Sequence, residues 1–355
     1  MKALVLSGGT GTRLRPFSHS MPKQLIPIAN KPVLEHVLDN IRAVGITDIG
    51  IIVGDRGPAI AEVLGDGSRM GVRLTYLRQD RPLGLAHCVT VARSFLADDD
   101  FLMYLGDNML PDGIGDVAAD FHRHRPDAHV VVHKVADPRA FGVAQMGAGD
   151  SVVRLVEKPR EPPSNLALIG VYLFTPAIHD AVAAIRPSAR GELEITDAIQ
   201  YMVERNADVR ATEYAGYWKD TGSAEDVLDC NRTLLQDLPR AIDGEVDAGS
   251  TVTGRVVIEA GARVVRSRIE GPAIIGAGTV VEDSRIGAGT SIGNDCVLRA
   301  CGISDSIVLD RASITDVTGL HGSLIGRGAR VGAAHRGAAR HRLMVGDDTR
   351  IEMAA

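Results

Sequence analysis

The chain has 355 residues, enough for about two domains of ordinary size, each with a hydrophobic core of its own. Its composition is 45% hydrophobic and 24% charged with a net charge of -6, which argues against a basic nucleic-acid-binding surface. No apolar run approaches the roughly 20 residues that a membrane helix needs, and Ala3–Leu6 is too short for a signal-peptide core. We therefore expect a cytoplasmic protein. The four cysteines show no C-x-x-C spacing, so we expect free, structural thiols.

Short apolar strands alternate with helical patterns over the first 240 residues. The predicted strands cover residues 2–6, 48–53, 73–77, 101–105 and 128–135, and the predicted helices cover residues 32–44, 58–64, 85–96 and 114–124. This alternation predicts an α/β fold with a doubly wound, mixed but mostly parallel sheet. Ligands of such sheets bind beyond the carboxyl ends of the strands, so the loops at those ends are the ones to examine.

A glycine-rich loop, SGGTGTRL at residues 7–14, follows the first strand directly. Glycines let backbone N–H groups approach a phosphate or a base, and Arg13 supplies a planar, permanently charged group for phosphoryl oxygens. The spacing excludes a Rossmann dinucleotide fingerprint, whose third glycine would fall on Leu14. It also excludes a Walker A loop, which needs Gly-Lys-Ser/Thr.

A family resemblance becomes visible when this loop is combined with the next motifs. These are MPKQLIPI at residues 21–28 and NKP at residues 30–32, just before a predicted helix. The combination is similar to the signature of the sugar-1-phosphate nucleotidylyltransferases, which have a Rossmann-like sheet. Its Lys-Gln-Leu resembles the glucose-1-phosphate thymidylyltransferases more than the uridylyl or guanylyl enzymes. The resemblance covers about residues 1–235.

The resemblance implies a nucleotide site, two positively charged catalytic side chains and a metal site. Arg13 and Lys23 are the expected catalytic residues, and Asp107 (in LGDN) and Asp220 (in WKDTG) are the expected ligands of Mg²⁺. Mg²⁺ takes one or two protein carboxylates together with waters and phosphate oxygens. A Gln79 amide can pair with the donor and acceptor edge of a pyrimidine. The expected nucleotide-binding residues are Gly8, Gly9, Gly11, Thr12, Arg13, Gln79, Pro82 and Gly84.

Later motifs complete the resemblance and imply where the sugar phosphate binds. In the family a Glu-Lys pair takes the sugar, because a carboxylate accepts hydrogen bonds from hydroxyls and a lysine meets the phosphate. The expected sugar-phosphate-binding residues are Gly142, Glu157, Lys158, Val171 and Tyr172. The stretch GELEITD at residues 191–197 also fits the family, although it could equally be an ordinary helix start.

The remaining residues, 241–355, have a different composition and a repeat. They contain no lysine and no aromatic residue, and aliphatic residues recur every five or six positions, at Val246, Val252, Ile258, Val264, Ile269, Ile275, Val281, Ile286, Ile292, Leu298 and Ile303. This period fits neither a helix nor an isolated strand and favours a solenoid of short parallel strands. Over about residues 245–332 it resembles the left-handed parallel β-helix of hexapeptide-repeat proteins. We place the domain boundary after Arg240, giving a catalytic domain (1–240) and a β-helix domain (241–355).

The activity that the resemblance implies is transfer of a deoxythymidylyl group from dTTP to α-D-glucose-1-phosphate, which gives dTDP-glucose for deoxysugar and antibiotic synthesis. UTP stays open as the nucleotide, because one methyl group is worth only about 1–3 kcal/mol in a pocket. A catalytically silent, nucleotide-sensing subunit is a second possibility. A third is a bifunctional enzyme with acetyltransferase activity in the β-helix, where His321, His335 and His341 are candidate bases. We expect a homo-oligomer (dimer, trimer or tetramer) assembled with help from the β-helix, and no nucleic acid or membrane partner.

Overall fold

The structure, a computed structural model, describes residues 1–9, 11–333, 343–347 and 349–353. The chain packs into two compact units. The first, called here the sheet unit, contains residues 1–9 and 34–220, and the second, the β-helix unit, contains residues 10–33 and 221–355. The predicted boundary after Arg240 describes where one folding domain ends and the next begins along the sequence. It stays a prediction.

The secondary structure alternates in the first part of the chain and consists of short strands in the second. The helices are α1 Phe17–Ser20, α2 Val33–Ala43, α3 Gly57–Leu64, α4 Leu85–Val91, α5 Arg93–Leu96, α6 Gly115–His124, α7 Ile178–Ala184, α8 Ile195–Val203 and α9 Ala224–Asp237. The strands before residue 240 are β1 Lys2–Leu6, β2 Pro27–Ile28, β3 Lys31–Pro32, β4 Asp48–Val53, β5 Arg73–Arg78, β6 Phe101–Leu105, β7 Asn108–Met109, β8 Ala128–Lys134, β9 Gly142–Met146, β10 Val152–Glu157, β11 Leu166–Phe174, β12 Val209–Glu213 and β13 Lys219–Asp220. No helix in the described parts of the chain combines the length and apolarity needed to cross a membrane.

The sheet unit is built on a mixed sheet, as the sequence predicts. The strand order is β10-β9-β11-β6-β1-β4-β5, with β8 beside β11 and β12 beside β8. Strands β6, β1, β4 and β5 run parallel, and β11 joins them antiparallel. The parallel strands consist largely of aliphatic residues because helices cover both faces of such sheets. The predicted helix over residues 85–96 is wrong in one respect: it is two helices, α4 and α5, separated at Ala92.

The β-helix unit contains a parallel β-helix, which confirms the interpretation of the repeat. Its strands are β14 Ala241–Ile242, β15 Glu245–Val246, β16 Thr251–Thr253, β17 Val256–Ile258, β18 Arg263–Val265, β19 Arg268–Glu270, β20 Ala273–Ile275, β21 Val280–Glu282, β22 Arg285–Ile286, β23 Thr290–Ile292, β24 Val297–Arg299, β25 Gly302–Ser304, β26 Ile307–Val308, β27 Ser313–Thr315, β28 Leu320–His321, β29 Leu324–Ile325, β30 Arg330–Ala333, β31 Met344–Val345 and β32 Arg350–Met353. They stack in three parallel sheets. Ile258 pairs with Ile275, which pairs with Ile292, so three steps of the repeat make one coil. The predicted aliphatic positions form or border the core of this unit.

Columns of buried hydroxyls and thiols line the corners of the β-helix. The backbone N–H of Ser284 donates to the Ser267 hydroxyl in the coil below (3.0 Å), and the N–H of Cys301 donates to the Ser284 hydroxyl (3.1 Å). These side chains satisfy backbone groups that the turns leave without a strand partner. All four cysteines are buried and free, as the sequence predicts, and burial raises the pKa of Cys296 to about 12 and that of Cys301 to about 11.

A buried asparagine joins three distant segments within the β-helix unit. Asn231 on α9 is 0% exposed, and its carbonyl oxygen accepts from the backbone N–H of Ala29 (2.9 Å) and the hydroxyl of Ser291 (2.6 Å). Its amide donates to the carbonyl of Gly289 (3.0 Å). The next turn residue, Asn30, donates to the carbonyl of Ile292 (2.7 Å). The β2–β3 turn and α9 are therefore held against the same coil of the β-helix.

Replacing Asn231 by alanine leaves the Ala29 N–H, the Ser291 hydroxyl and the Gly289 carbonyl without this partner in a buried place. We expect Asn231→Ala to lower the free energy of unfolding by about 3 kcal/mol, because unsatisfied buried polar groups cost about 1–3 kcal/mol each. Chemical denaturation of the full chain measures the loss. Gln236→Ala, at an exposed position of the same helix, is the control and should change stability by less than about 0.5 kcal/mol. Equal effects of the two substitutions would contradict the assignment.

Candidate active site

The ends of the parallel strands bring predicted site residues to one edge of the sheet. Gly8 and Gly9 follow β1, Gln79 follows β5, and Asp107 lies two residues after β6. These strands are parallel, so their carboxyl ends lie at the same edge. Gly8 and Gln79 are close neighbours, since a Cβ atom on Gly8 would lie 3.3 Å from Oε1 of Gln79.

The predicted base-recognition loop, residues 79–86, is held by a hydrogen bond within the loop and by a neighbouring segment. The amide nitrogen of Gln79 lies 3.3 Å from the carbonyl of Gly84, to which it donates, and 3.0 Å from Nδ1 of His87. Gly84 has a φ of +104°, and a Cβ atom there would lie 2.4 Å from the Leu193 carbonyl oxygen. Pro82 is exposed in the same loop. Packing against the Leu193 backbone therefore requires glycine at residue 84.

The Glu-Lys pair predicted to bind the sugar phosphate lies beside the GELEITD segment. Oε2 of Glu157 accepts from the Thr196 hydroxyl (2.7 Å), and its Oε1 lies 3.6 Å from Nζ of Lys158. A Cβ atom on Gly142 would lie 3.2 Å from Oε2 of Glu157. Gly142, Glu157 and Lys158 are thus brought together. Thr196, in the first turn of α8, orients the Glu157 carboxylate.

Arg190 belongs to this cluster, although the sequence reading did not single it out. Its guanidinium lies 3.2 Å from Glu157 and 2.8 Å from Glu194, whose side chain is buried. Burial raises the pKa of the nearby Asp197, and the charges of Glu194 and Glu157 raise it further. The signal that could have found Arg190 is its position immediately before the GELEITD segment.

Val171 and Tyr172 occupy the middle of β11. Val171 is 0% exposed and Tyr172 is 3% exposed, and both pair with residues of β6. Burial raises the pKa of the Tyr172 hydroxyl, and the negative charge of Glu157 adds to this effect. The binding roles of both residues stay predictions.

The two predicted metal ligands are placed together by a pair of short strands. Strand β7 pairs with β13 so that Asn108 lies opposite Asp220, and Asp107 directly precedes Asn108. The Asn108 amide donates to Oδ1 of Asp107 (3.1 Å). Within the described residues there is no group of three or more His, Cys, Asp or Glu side chains that could hold a metal ion. Two carboxylates from adjacent strands fit a hard divalent cation that takes its other ligands from water and phosphate.

The rest of the glycine-rich loop and the Lys23 motif belong to the β-helix unit. Gly11 has a φ of +64°, and a Cβ atom there would lie 3.1 Å from Cβ of Lys23. Thr12 and Arg13 lie in a short 3-10 turn, Thr12–Leu14, where both are exposed. Lys23 begins a second such turn, Lys23–Leu25. The loop and the lysine motif are therefore packed against each other.

The β-helix has a groove of about 1010 Å³. Separately, it carries His321, one of the candidate acetyltransferase bases. The groove lines a corner of the coils, and its arginines are ion-paired, Arg266 with Asp283 and Arg285 with Glu270. His321 is exposed and lies 3.1 Å from the Ser304 hydroxyl. His335 and His341 lie outside the described residues.

Comparison with known proteins assigns the fold and the family. The nucleotidyl transferase family matches residues 2–237. This chain belongs to the nucleotidyl transferase family. It is similar to glucose-1-phosphate thymidylyltransferases from Streptomyces griseus (51% identity, covering 100% of both chains) and Streptomyces antibioticus (51% identity, covering 99% of both). A solved structure from Bacillus anthracis, described as a glucose-1-phosphate thymidylyltransferase in complex with sucrose, has 33% identity and a TM-score of 0.62 and covers 68% of this chain and 97% of its own.

Membership of the nucleotidyl transferase family agrees with the placement of the carboxylates. Enzymes of this family generally use a divalent metal. Asp107, which precedes β7, and Asp220, in the paired strand β13, stay the predicted ligands of such an ion. The part of the chain that the family covers ends within α9, before the first strand of the β-helix.

Gly84 provides a steric test of how the base-recognition loop is packed. Gly84→Ala places a Cβ atom 2.4 Å from the Leu193 carbonyl oxygen and 2.6 Å from its backbone nitrogen, at a φ that L residues rarely adopt. Gly191→Ala is the matched control, because Gly191 has a φ of +77° but no atom within 4 Å of the added Cβ. We expect Gly84→Ala to cost about 2 kcal/mol more than Gly191→Ala, measured by thermal unfolding. Similar losses would show that the loop relaxes away from Leu193.

Proposed function

We propose that this chain is a glucose-1-phosphate thymidylyltransferase that transfers a deoxythymidylyl group from dTTP to α-D-glucose-1-phosphate. The observation that carries the proposal is the end-to-end match to the Streptomyces enzymes, which spans the sheet and the β-helix alike. The silent regulatory subunit and the additional acetyltransferase are not favoured, because the similarity is to whole thymidylyltransferases.

The chemistry is an in-line substitution at the α-phosphorus of dTTP. An oxygen of the sugar phosphate forms the new P–O bond, and the bond to the β-phosphate breaks, so that pyrophosphate leaves with the electron pair. The attacking oxygen is already ionised, so no general base is needed. The enzyme must position two polyanions and offset the negative charge that shifts to the leaving group.

Positive side chains are proposed for each phosphate in turn. Arg13, whose guanidinium can hold two phosphoryl oxygens, suits the leaving pyrophosphate, and Lys23 suits the α-phosphate. Lys158 is proposed to meet the phosphate of the sugar. The support for Arg13 and Lys23 is their sequence motifs, and for Lys158 it is also the short distance to Glu157.

Glu157 is proposed to hold the sugar by accepting hydrogen bonds from the hydroxyl groups of the sugar. Its carboxylate is an acceptor only, and Thr196 and Arg190 fix its orientation. Gly142 leaves room beside it, because any larger residue would contact the carboxylate itself. The arrangement favours a ligand that offers hydroxyl donors rather than an apolar group.

Mg²⁺ is the proposed cofactor, held by Asp107 and Asp220. Bound there, it would neutralise phosphate charge and orient phosphate oxygens. The two carboxylates provide oxygen ligands only, which suits Mg²⁺ better than a thiolate-seeking ion.

The nucleotide choice tests the proposal directly. We expect pyrophosphate release with Mg²⁺, glucose-1-phosphate and dTTP to be fastest, with UTP slower by up to about 100-fold and CTP, ATP and GTP slower still. A coupled pyrophosphate assay with the five triphosphates in parallel measures this. No release with any triphosphate and several sugar phosphates would overturn the proposal and support a nucleotide-sensing role.

Loss of either proposed catalytic side chain, Arg13 or Lys23, should affect turnover more than folding. We expect Arg13→Ala and Lys23→Ala each to lower kcat by on the order of 100-fold or more, by analogy with the loss of one donor that stabilises a transition state. Arg186→Ala, at an exposed position outside the named site motifs, is the control and should stay within about threefold. A Lys23→Ala or Arg13→Ala enzyme within threefold of wild type would remove that residue from the mechanism.

Three further properties belong to the same proposal. We infer a cytoplasmic homo-oligomer whose β-helix contributes to assembly, and a product that enters deoxysugar and antibiotic synthesis. The support for assembly is the solenoid, whose end strands in the described residues pair on one side only and suit a partner subunit. Light scattering of the full chain measures the oligomeric state, and a monomer at micromolar concentration would contradict it.

A further inference from the structure

A chain of two hydrogen bonds connects an indole to a predicted metal ligand in the sheet unit. Nε1 of Trp218 donates to Oδ1 of Asn108 (2.7 Å), and Nδ2 of Asn108 donates to Oδ1 of Asp107 (3.1 Å). Trp218 is the single tryptophan in the sequence. Neither Trp218 nor Asn108 has a role in the proposed function as stated above.

The direction of this hydrogen-bond chain is fixed by chemistry. An indole N–H can only donate, so the oxygen of the Asn108 amide must face Trp218. The NH₂ group of the same amide must then face Asp107, where an ionised carboxylate can only accept. Reversing the amide would break both hydrogen bonds. Asn108 therefore holds one oxygen of the Asp107 carboxylate in a defined place.

The surroundings of both residues leave them little freedom. Asn108 is 4% exposed and lies in β7, opposite Asp220 in β13. The indole of Trp218 contacts the Phe141 ring (5.5 Å between centroids) and the His133 ring (5.8 Å). The aromatic contacts set the position of the indole, and the indole sets the position of the amide.

We propose that Trp218 and Asn108 are positioning residues for the divalent metal, acting through the carboxylate of Asp107. The inference rests on the metal site of the proposed function. Partners that hydrogen-bond to a metal ligand fix its orientation, and their loss typically weakens metal binding by about 10-fold to 100-fold. The chain Trp218–Asn108–Asp107 is such an arrangement, with Asp220 on the paired strand.

The test measures Mn²⁺ binding to the full chain without sugar or nucleotide, by the electron paramagnetic resonance signal of free Mn²⁺. A role of Trp218 in contacting a substrate would not change this measurement. We expect Trp218→Phe and Asn108→Ala each to weaken Mn²⁺ binding about 10-fold, and Asp107→Asn to abolish it. The double variant should bind no more weakly than Asn108→Ala alone, because residues acting in series are not additive.

His133→Phe is the matched control. It keeps an aromatic ring beside Trp218 but removes the contact of His133 Nδ1 with the Tyr214 carbonyl (2.8 Å), which lies outside the hydrogen-bond chain. We expect Mn²⁺ affinity within twofold of wild type. A Trp218→Phe variant within twofold of wild type, or additive losses in the double variant, would overturn the proposal.

The single tryptophan gives a second, independent measurement. Mg²⁺ added to the wild-type chain should change the emission of Trp218 in a saturable way, and the change should disappear in Asn108→Ala, which keeps the indole. This comparison decides the matter if Trp218→Phe does not fold, as judged by circular dichroism. An emission response that persists in Asn108→Ala overturns the proposal.

The outcomes separate this inference from the proposed function. A wild-type chain that binds Mn²⁺ through Asp107 but releases no pyrophosphate with any triphosphate refutes the function and leaves the positioning role intact. An active wild type with unchanged Mn²⁺ affinity in Trp218→Phe refutes the positioning role alone. A wild type that binds no Mn²⁺ overturns the inference.

Discussion

The buried amide of Asn231 is satisfied only when three segments of the chain are in place together. Its partners are the turn at Ala29, the coil at Gly289 and the hydroxyl of Ser291, and a buried amide without them would be costly. The turn at Ala29 follows the motif that contains Lys23. The position of this motif is therefore set by α9 and this coil, which support residues near the start of the chain.

In the sheet unit, three glycines of the candidate site stand where two segments of the chain approach each other closely. Gly8 faces Gln79, Gly84 faces the Leu193 backbone, and Gly142 faces Glu157. A glycine at each place lets one segment approach another more closely than a side chain would permit. The sequence suggested that such glycines admit a phosphate or a base. The structure adds that they also admit a neighbouring part of the protein.

Local pattern predicted the main strands and helices of the first part of the sheet unit and the β-helix, but not the long-range contacts. Strands β1, β4 and β6 have the predicted bounds, because their aliphatic runs are buried on both faces, and the β-helix followed from its period. The Glu157 cluster was predicted only in part, since Arg190 reaches Glu157 from a loop 33 residues away. Asn231 contacts Ala29 over a separation of 202 residues, and no local pattern encodes such a contact. These differences agree with the rule that periodicity reports burial, whereas polar contacts depend on tertiary folding.

The make-up of the β-helix unit has a consequence for synthesis on the ribosome. Residues 10–33 leave the exit tunnel long before their partners in residues 221–355 have been translated. At about 5–20 residues per second, the gap amounts to roughly ten seconds or more. During that time the segment lacks its later partners, such as the Asn231 side chain that accepts from the backbone N–H of Ala29. Residues 10–33 are thus among the segments whose native contacts form only after α9 and the β-helix have been made.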